Sequence, residues 1–589
     1  MSAFFEIRLG TAPCRSREPA IFAALKTALV VGIVALAALV VLTPPFISDV
    51  PEAHRVPLRE LRHNVGGTWV DASLYLRLWF ALACAAGGAL VAGIVAWYLT
   101  PLSDCAVTMP HTNEPQLHRD DYARVELTRR LRKSFGTPHS NNGLWLVPGV
   151  RLPREAEGQF MLIVGDKGSG KSNIARALAS QAISRGDRVL LHCVKGDVTQ
   201  CFRDREAVLI GAHHKHGWAW DVAADLDGEA AYLDLAAAII PISGSSAFWA
   251  QSARAVFVDV LHDLATEPGR TTWTFMDLAQ RLLDDPGAIK ARVERLDLSA
   301  SPLIEQGEDG LANTTFGVMA TLWAGTLSGL RPLALAWNAT PLGRRFSVKR
   351  WLRGQGPSTV ILQTAPEYEE LSALVSASLL RRVVVGISDP SLPVDPKRRV
   401  TLVLDEFHAL GRVERMESAL ALGREKGLVV IAALQSLNQL PLVYGPTLGQ
   451  VVQDLFRIRM FSALAAGTSA NQAETLMKRR TLVWRERNKD ADKKGLYCSQ
   501  RGEQPVVSAT ILERDLGVQQ IGTDTKNPDH KRVRAVISGL GDVYQFDWPL
   551  TVWPKRREGF VPAEWLTASR RQEADWPEPT SPPPASPSA

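Results

Sequence analysis

One segment restricts this chain more than any other. The apolar residues Phe160-Met161-Leu162-Ile163-Val164, preceded by Gln159, read as a buried strand and run directly into Gly165-Asp166-Lys167-Gly168-Ser169-Gly170-Lys171-Ser172. Residues 173–184 then place Ile174, Leu178, Ala179, Ala182 and Ile183 at helical spacing. Strand, glycine loop and helix, in that order, is the context in which a GxxxxGKS sequence binds nucleotide phosphates. The glycines let backbone N–H groups turn inward, and the helix N-terminus adds its partial positive charge. The motif assigns Lys171 to the β- and γ-phosphates, the Ser172 hydroxyl to Mg²⁺, and Gly165, Asp166, Lys167, Gly168, Ser169 and Gly170 to the cradle. ATP and Mg²⁺ are the expected cofactors, on an α/β nucleotide-binding domain.

A second apolar run, Thr401-Leu402-Val403-Leu404, ends in Asp405-Glu406. In P-loop enzymes a carboxylate at this place holds the metal, and its neighbour can polarise the attacking water. Asp405 is therefore the expected metal ligand beside Ser172, and Glu406 the expected base of a hydrolase that cycles. A third run, Leu428 to Leu434, ends at Gln435-Ser436. Gln435 is expected to sense the γ-phosphate or place the water; an ordinary strand-end glutamine is the plain alternative.

At 589 residues the chain exceeds one core. Residues 21–43 carry one charge, Lys26, and residues 78–99 carry none. Each is long enough to span a bilayer, which takes about 20 apolar residues. A cleaved signal peptide is the alternative for the first, but its apolar run exceeds the usual h-region of about 7–15 residues. Trp79, Trp97 and Tyr98 suit the membrane interface, and Gly87, Gly88 and Gly93 would permit close helix packing. An ATP site must face the compartment that holds ATP, so both termini are placed in the cytoplasm. That gives a cytoplasmic N-terminus over 1–20, spans over 21–43 and 78–99, and an outer loop over 44–77, in contact with inner-membrane lipid. The six cysteines show no CxxC or ligand-like spacing, which argues against a zinc site or a disulfide framework. The net charge of +6 is small for this length and says little about partners.

More than two hundred residues separate Ser172 from Asp405, far more than a minimal nucleotide fold needs. The nucleotide domain is expected over 100–249 and 346–560, with an inserted all-α domain over 250–345. Within the insert, Thr274-Phe275-Met276-Asp277 has the capping-box pattern, with Leu278, Leu282 and Leu283 assigned to one face and Pro286-Gly287 to a break. Its tryptophans and leucines read as core. Lys478, Arg479, Arg480, Arg485, Arg487, Lys489, Lys493 and Lys494 surround Trp484, a mixture suited to a single strand; a solvated basic loop is the alternative. Residues 561–589 are expected to form a tail, and Glu573 onward is dominated by Pro, Ser and Ala.

These residues resemble the type IV secretion coupling proteins of conjugation, the TraD group, and more distantly the FtsK/HerA translocases. The resemblance rests on the two spans and the glycine loop, then Lys195-Gly196-Asp197, Phe248-Trp249 and Ala253-Arg254. It continues through the stretch from Leu402 to Arg412, Gly423-Arg424-Glu425-Lys426-Gly427, and Gln435-Ser436. In that family the second strand commonly ends in an Asp before the Lys-Gly pair; His192-Cys193-Val194 stands there in this chain. The resemblance implies a RecA-like motor of the bacterial inner membrane that assembles as a homo-hexameric ring. It would recruit relaxase-bound single-stranded DNA from relaxosome proteins and pump it to type IV secretion channel components. It also implies an arginine finger from the neighbouring subunit, for which Arg424 is the candidate, with a plain helix cap as the alternative. A receptor for protein effectors that uses nucleotide to control assembly, and an FtsK-like translocase, are the alternative functions.

Overall fold

The computed structural model describes residues 25–34, 82–83, 86–95, 114–136 and 143–566, less 243–246, 269–271, 297, 299, 308–309, 394, 396, 414, 488–496 and 525–526. It divides into two units. One holds Pro115–Arg479 with Pro505–Ala589, the other Met1–Glu114 with Arg480–Gln504.

Short apolar runs without an alternating polar face belong in a parallel sheet covered on both sides. Seven such strands build the larger unit: β1 (Met161–Val164), β2 (Arg188–Cys193), β3 (Val208–Ile210), β4 (Thr359–Gln363), β5 (Val400–Leu404), β6 (Leu428–Leu434) and β7 (Ile458–Phe461). They lie in the order β3-β4-β2-β5-β6-β1-β7, all parallel. Beyond β7 the sheet becomes mixed. Lys531–Leu540 pairs antiparallel with β7 and with Asp542–Pro549, and Leu117–His118 runs parallel to that last strand. Every residue of β1, β4, β5 and β6 is buried. The first strand starts at Met161, two residues after Gln159 and one after the apolar run begins, because Phe160 takes a left-handed backbone (φ 52°).

This order positions the site. β6 lies between β1 and β5, so the segments leaving these three strands emerge side by side at one edge. Ligands of open parallel sheets bind at the carboxyl ends of the strands. Helix α1 (Lys171–Arg185) follows the glycine loop.

The helical segment contains α2 (Ala247–Ala265), α3 (Phe275–Leu282), α4 (Pro286–Arg295), α5 (Asn313–Gly325) and α6 (Arg331–Trp337). The capping box forms at α3: Thr274 Oγ1 accepts from Asp277 N at 3.2 Å, and Asp277 accepts from Thr274 N at 2.8 Å. Leu278 and Leu282 are buried, but Leu283 is the C-cap and 37% exposed, so it leaves the apolar face assigned to it. Pro286 also does more than break a helix, since it opens α4 with Asp285 as N-cap. The aromatic residues serve the core, with Phe275 5.7 Å from Trp220 and 5.4 Å from Trp337 between ring centroids.

Pro366–Ser388 is the one helix among the described residues long and apolar enough to cross a membrane, and half of its apolar window is buried. Val375, Leu379, Leu380, Val383, Val384 and Ile387 pack it into the larger unit's core. In the other unit, the described parts of the two predicted spans, Leu25–Val34 and Ala86–Val95, are apolar helices, each shorter than the ~20 residues that a span needs. A Cβ at Gly32 would lie 3.6 Å from Ala89 Cβ, whereas Gly87 and Gly88 face open space. Close approach therefore occurs at Gly32 rather than at those glycines. Apart from residues 82–83, the remainder of each span lies outside the described residues, as do the loop 44–77 and residues 1–20. So do Lys489, Lys493, Lys494 and residues 567–589. The basic stretch forms a two-stranded sheet of Arg479–Arg487 with Tyr497–Pro505. Residues 561–566, counted with the tail above, lie against the sheet domain: Val561 accepts from Lys215 N at 2.8 Å and Ala563 N donates to His213 O at 2.9 Å.

Candidate nucleotide site

The loop after β1 is held on three sides. Gly165 N donates to Leu434 O at 3.2 Å and Asp166 N to Ala463 O at 2.8 Å. Ser462 Oγ donates to Ser169 O at 2.6 Å, and Asp166 Oδ2 accepts from Ala465 N at 2.5 Å. Gly170 has φ 95°, and a Cβ there would sit 2.6 Å from both Val533 methyl groups. A Cβ at Gly165 would come within 2.6 Å of Ser169 Oγ. Gly170 therefore admits only glycine, whereas a side chain at Gly165 would displace the Ser169 hydroxyl. The hollow keeps a buried hydroxyl without a partner, Ser169 Oγ, the kind of orphan donor that a phosphate oxygen satisfies.

Lys171 begins α1 and is buried. Its Nζ donates to Gly165 O at 2.5 Å and to Asp166 O at 2.8 Å, carbonyls against which phosphate oxygens would compete. Burial pulls the ammonium pKa below its ordinary value, against the attraction of Asp405, Asp166 and Glu406. Lys167 and Gly168 are exposed at the loop tip.

Ser172 Oγ donates to Asp405 Oδ2 at 2.9 Å across 233 residues of sequence. Burial raises the Asp405 pKa, as do Asp197 and Glu406, while the Ser172 bond and Arg176 lower it. A buried carboxylate crowded by acids, beside a hydroxyl, is a donor set that fits Mg²⁺, which is usually held through one or two carboxylates plus phosphate oxygens.

Glu406 follows with φ 55° and ψ 57°, a left-handed conformation that costs an ordinary residue roughly 1–2 kcal/mol. Its Oε1 accepts from Gln435 Nε2 at 3.3 Å. Gln435 is fixed in turn, its N donating to Gln439 Oε1 at 2.9 Å. Lys171, Ser172, Asp405, Glu406 and Gln435 thus share one edge of the sheet, as their motifs predict. Arg424 is elsewhere. It is exposed at the C-cap of helix Met416–Gly423, before β6 begins, and its side chain covers Gly158, where a Cβ would meet Arg424 Cγ at 2.6 Å. That places it at the opposite edge of the sheet from this site.

Other residues enter to which the motifs assign no role. Asp197 pairs with Arg176 of α1 and lies close enough to act on Asp405; it follows the Lys-Gly pair instead of preceding it. Ser462 and Ala463 come from the end of β7, and Val533 from the antiparallel strand beyond it. Cys193, the last residue of β2, and Cys201, eight residues on, are free, buried thiols, with the Cys193 pKa pushed up to about 12, foremost by burial.

A family model described as the type IV secretion-system coupling protein DNA-binding domain matches residues 145–512. The coupling protein TraD of Escherichia coli (strain K12) is 24% identical over 318 residues, which is 52% of this chain and 42% of that protein. The chain therefore spans less than half of that relative's length. Among solved structures, the unbound bacterial conjugative coupling protein TrwBdeltaN70 aligns with a TM-score of 0.59 at 21% identity, covering 74% of this chain and 94% of that one. The plasmid coupling protein TrwB in complex with ADP and Mg²⁺ aligns with a TM-score of 0.56 at 20% identity, covering 74% and 94%. Its complex with the non-hydrolysable ATP analogue ADPNP gives 0.58 at 21%, covering 76% and 96%. The fold is accordingly the RecA-like nucleotide-binding fold with a mixed sheet.

Proposed function

The chain belongs to the type IV secretion-system coupling protein family, and on that premise we propose that it is a membrane-anchored ATPase that recruits relaxase-bound single-stranded DNA and pumps it to a secretion channel. The observation that carries the ATPase reading is the contact of Ser172 Oγ with Asp405 Oδ2 at 2.9 Å, which brings the two motifs together at one edge of the sheet.

In this reading the cradle amides and the Ser169 hydroxyl receive the phosphates, and Lys171 moves from the loop carbonyls to phosphate oxygen. Ser172 and Asp405 hold Mg²⁺, which supplies charge neutralisation on the phosphate oxygens when bound. Glu406, held by Gln435, accepts the proton of the attacking water. Arg424 faces away from its own site, so it acts on the site of a neighbouring copy, which calls for a ring; we take that ring to be a homo-hexamer. Two spans over 21–43 and 78–99 fix the motor to the cytoplasmic face of the inner membrane, with relaxosome and channel proteins as partners. The inserted helices stand where substrate enters, and the basic strands after Lys478 are the candidate contact for phosphates.

The test is ATP hydrolysis by the full-length protein with and without single-stranded DNA over a salt series. Stimulation by DNA that falls steeply with salt is expected. Hydrolysis indifferent to DNA at low salt would remove the DNA motor and leave an effector receptor.

A further inference from the structure

The peptide between Asp405 and Glu406 carries the proposed metal ligand on one side and the proposed base on the other. What fixes that peptide is a residue to which the nucleotide motifs assign nothing. His192, in β2, is 1% exposed and pairs in register with Leu404 of β5. Its Nδ1 lies 2.7 Å from the Asp405 carbonyl oxygen. A carbonyl only accepts, so Nδ1 carries the proton and Nε2 of the neutral ring is an acceptor. Thr364 Oγ1, just past β4, stands 3.4 Å from that Nε2 and 3.5 Å from Cys193 O, and shares its one proton between these two acceptors. Leu190 and Leu191 beside it are buried leucines, and a leucine would fill the place. A buried imidazole is costly unless both nitrogens are engaged, and here both are, across three strand ends.

We propose that His192 is a positioning residue: its Nδ1–H fixes the Asp405–Glu406 peptide and so keeps Glu406 in the left-handed conformation that brings its carboxylate to Gln435. The inference rests on the reading of Glu406 as the base of an ATPase. It separates His192 from the cradle, because the ring's hydrogen bonds go to Asp405 O and Thr364 Oγ1; its loss acts on turnover and leaves nucleotide binding alone.

The experiment uses the full-length protein in detergent as wild type, His192→Leu, His192→Asn and Thr364→Val. Asparagine presents an N–H where Nδ1 stands, and leucine presents none. ATP turnover is measured with KM, together with the Kd of a fluorescent non-hydrolysable ATP analogue. His192→Leu is expected to lower kcat about 10–100-fold, the usual range for residues that orient a metal site from behind, with KM and Kd unchanged. His192→Asn restores most of the rate. Thr364→Val, which frees the ring without removing it, loses less, and it decides the matter should His192→Leu not fold. Wild-type kcat in His192→Leu or Thr364→Val overturns the proposal. So does an equal loss in the leucine and asparagine variants, or a loss of Kd in step with kcat. A wild-type protein that does not hydrolyse ATP would instead overturn the ATPase reading itself.

Discussion

Ser172 Oγ and Asp405 Oδ2 meet at 2.9 Å, one at the start of the helix after β1 and the other at the end of β5. β6 separates the two strands, and its own last residue leads into Gln435, which reaches the neighbour of Asp405. Three apolar strands ending at one edge therefore bring Ser172, Asp405, Glu406 and Gln435 together from positions up to 263 apart, counting from Ser172 to Gln435.

If Glu406 accepts the proton, Glu406→Gln keeps its shape and the Gln435 neighbourhood but loses the base. Single-turnover hydrolysis should fall by about 10²–10⁴-fold, and bound ATP should persist on the protein after gel filtration. Unchanged turnover would pass the role to another group.

Gly170 is at φ 95° with Val533 pressed against the place of a side chain. Gly170→Ala should cost about 1–3 kcal/mol of stability, read as a lower urea midpoint, and should weaken ADP binding in the same protein. A midpoint equal to wild type would mean that the loop tolerates a Cβ that the packing excludes.

Arg424 cannot serve its own site from the opposite edge of the sheet. Arg424→Ala should leave nucleotide affinity intact and lower turnover, by about 10³–10⁵-fold if it is a finger of the measured kind. Mixing Arg424→Ala with Glu406→Gln protein should recover activity, because a Glu406→Gln subunit lends its arginine to an intact neighbouring site. Absence of recovery in mixed assemblies would leave Arg424 as a helix cap.

The acid limb of stability is assigned to Asp542. Burial alone would raise its pKa, but bonds from His118 and Arg130 outweigh that and hold it at about 2, below 3.8. A depressed folded pKa stabilises above the unfolded value and loses that stabilisation as pH falls through the folded one. Asp542→Asn should therefore be less stable near neutral pH and show a shallower loss between pH 3.8 and about 2, followed by tryptophan fluorescence in urea. An unchanged acid limb would place the proton uptake elsewhere.

Much of the site was legible because each motif is local. The glycine loop encodes its own backbone turns, and Asp405 and Gln435 stand out as the first polar residues after apolar runs. Strand order was not legible. β1, β5 and β6 are buried along their whole lengths, so no alternation marks which neighbours they take. Contacts that depend on the order, such as His192 to Asp405 or Ser462 to Ser169, stayed hidden for that reason. Leu283 was misplaced because α3 ends one residue before it, where the chain leaves helical geometry. Apolar length misleads in the same way, since Pro366–Ser388 is as apolar as a membrane span yet packs in the larger unit's core.

The central claim is that one cradle and one acid share a single metal-bound triphosphate. It is tested most directly by ATP turnover of the full-length protein as Mg²⁺ is titrated, with Lys171→Ala and Asp405→Asn measured alongside. The account predicts Mg²⁺-dependent hydrolysis in wild type that both substitutions abolish, with Asp405→Asn still retaining ADP when Mg²⁺ is removed. Turnover in either variant equal to wild type, or a wild-type protein that holds no nucleotide, would contradict it.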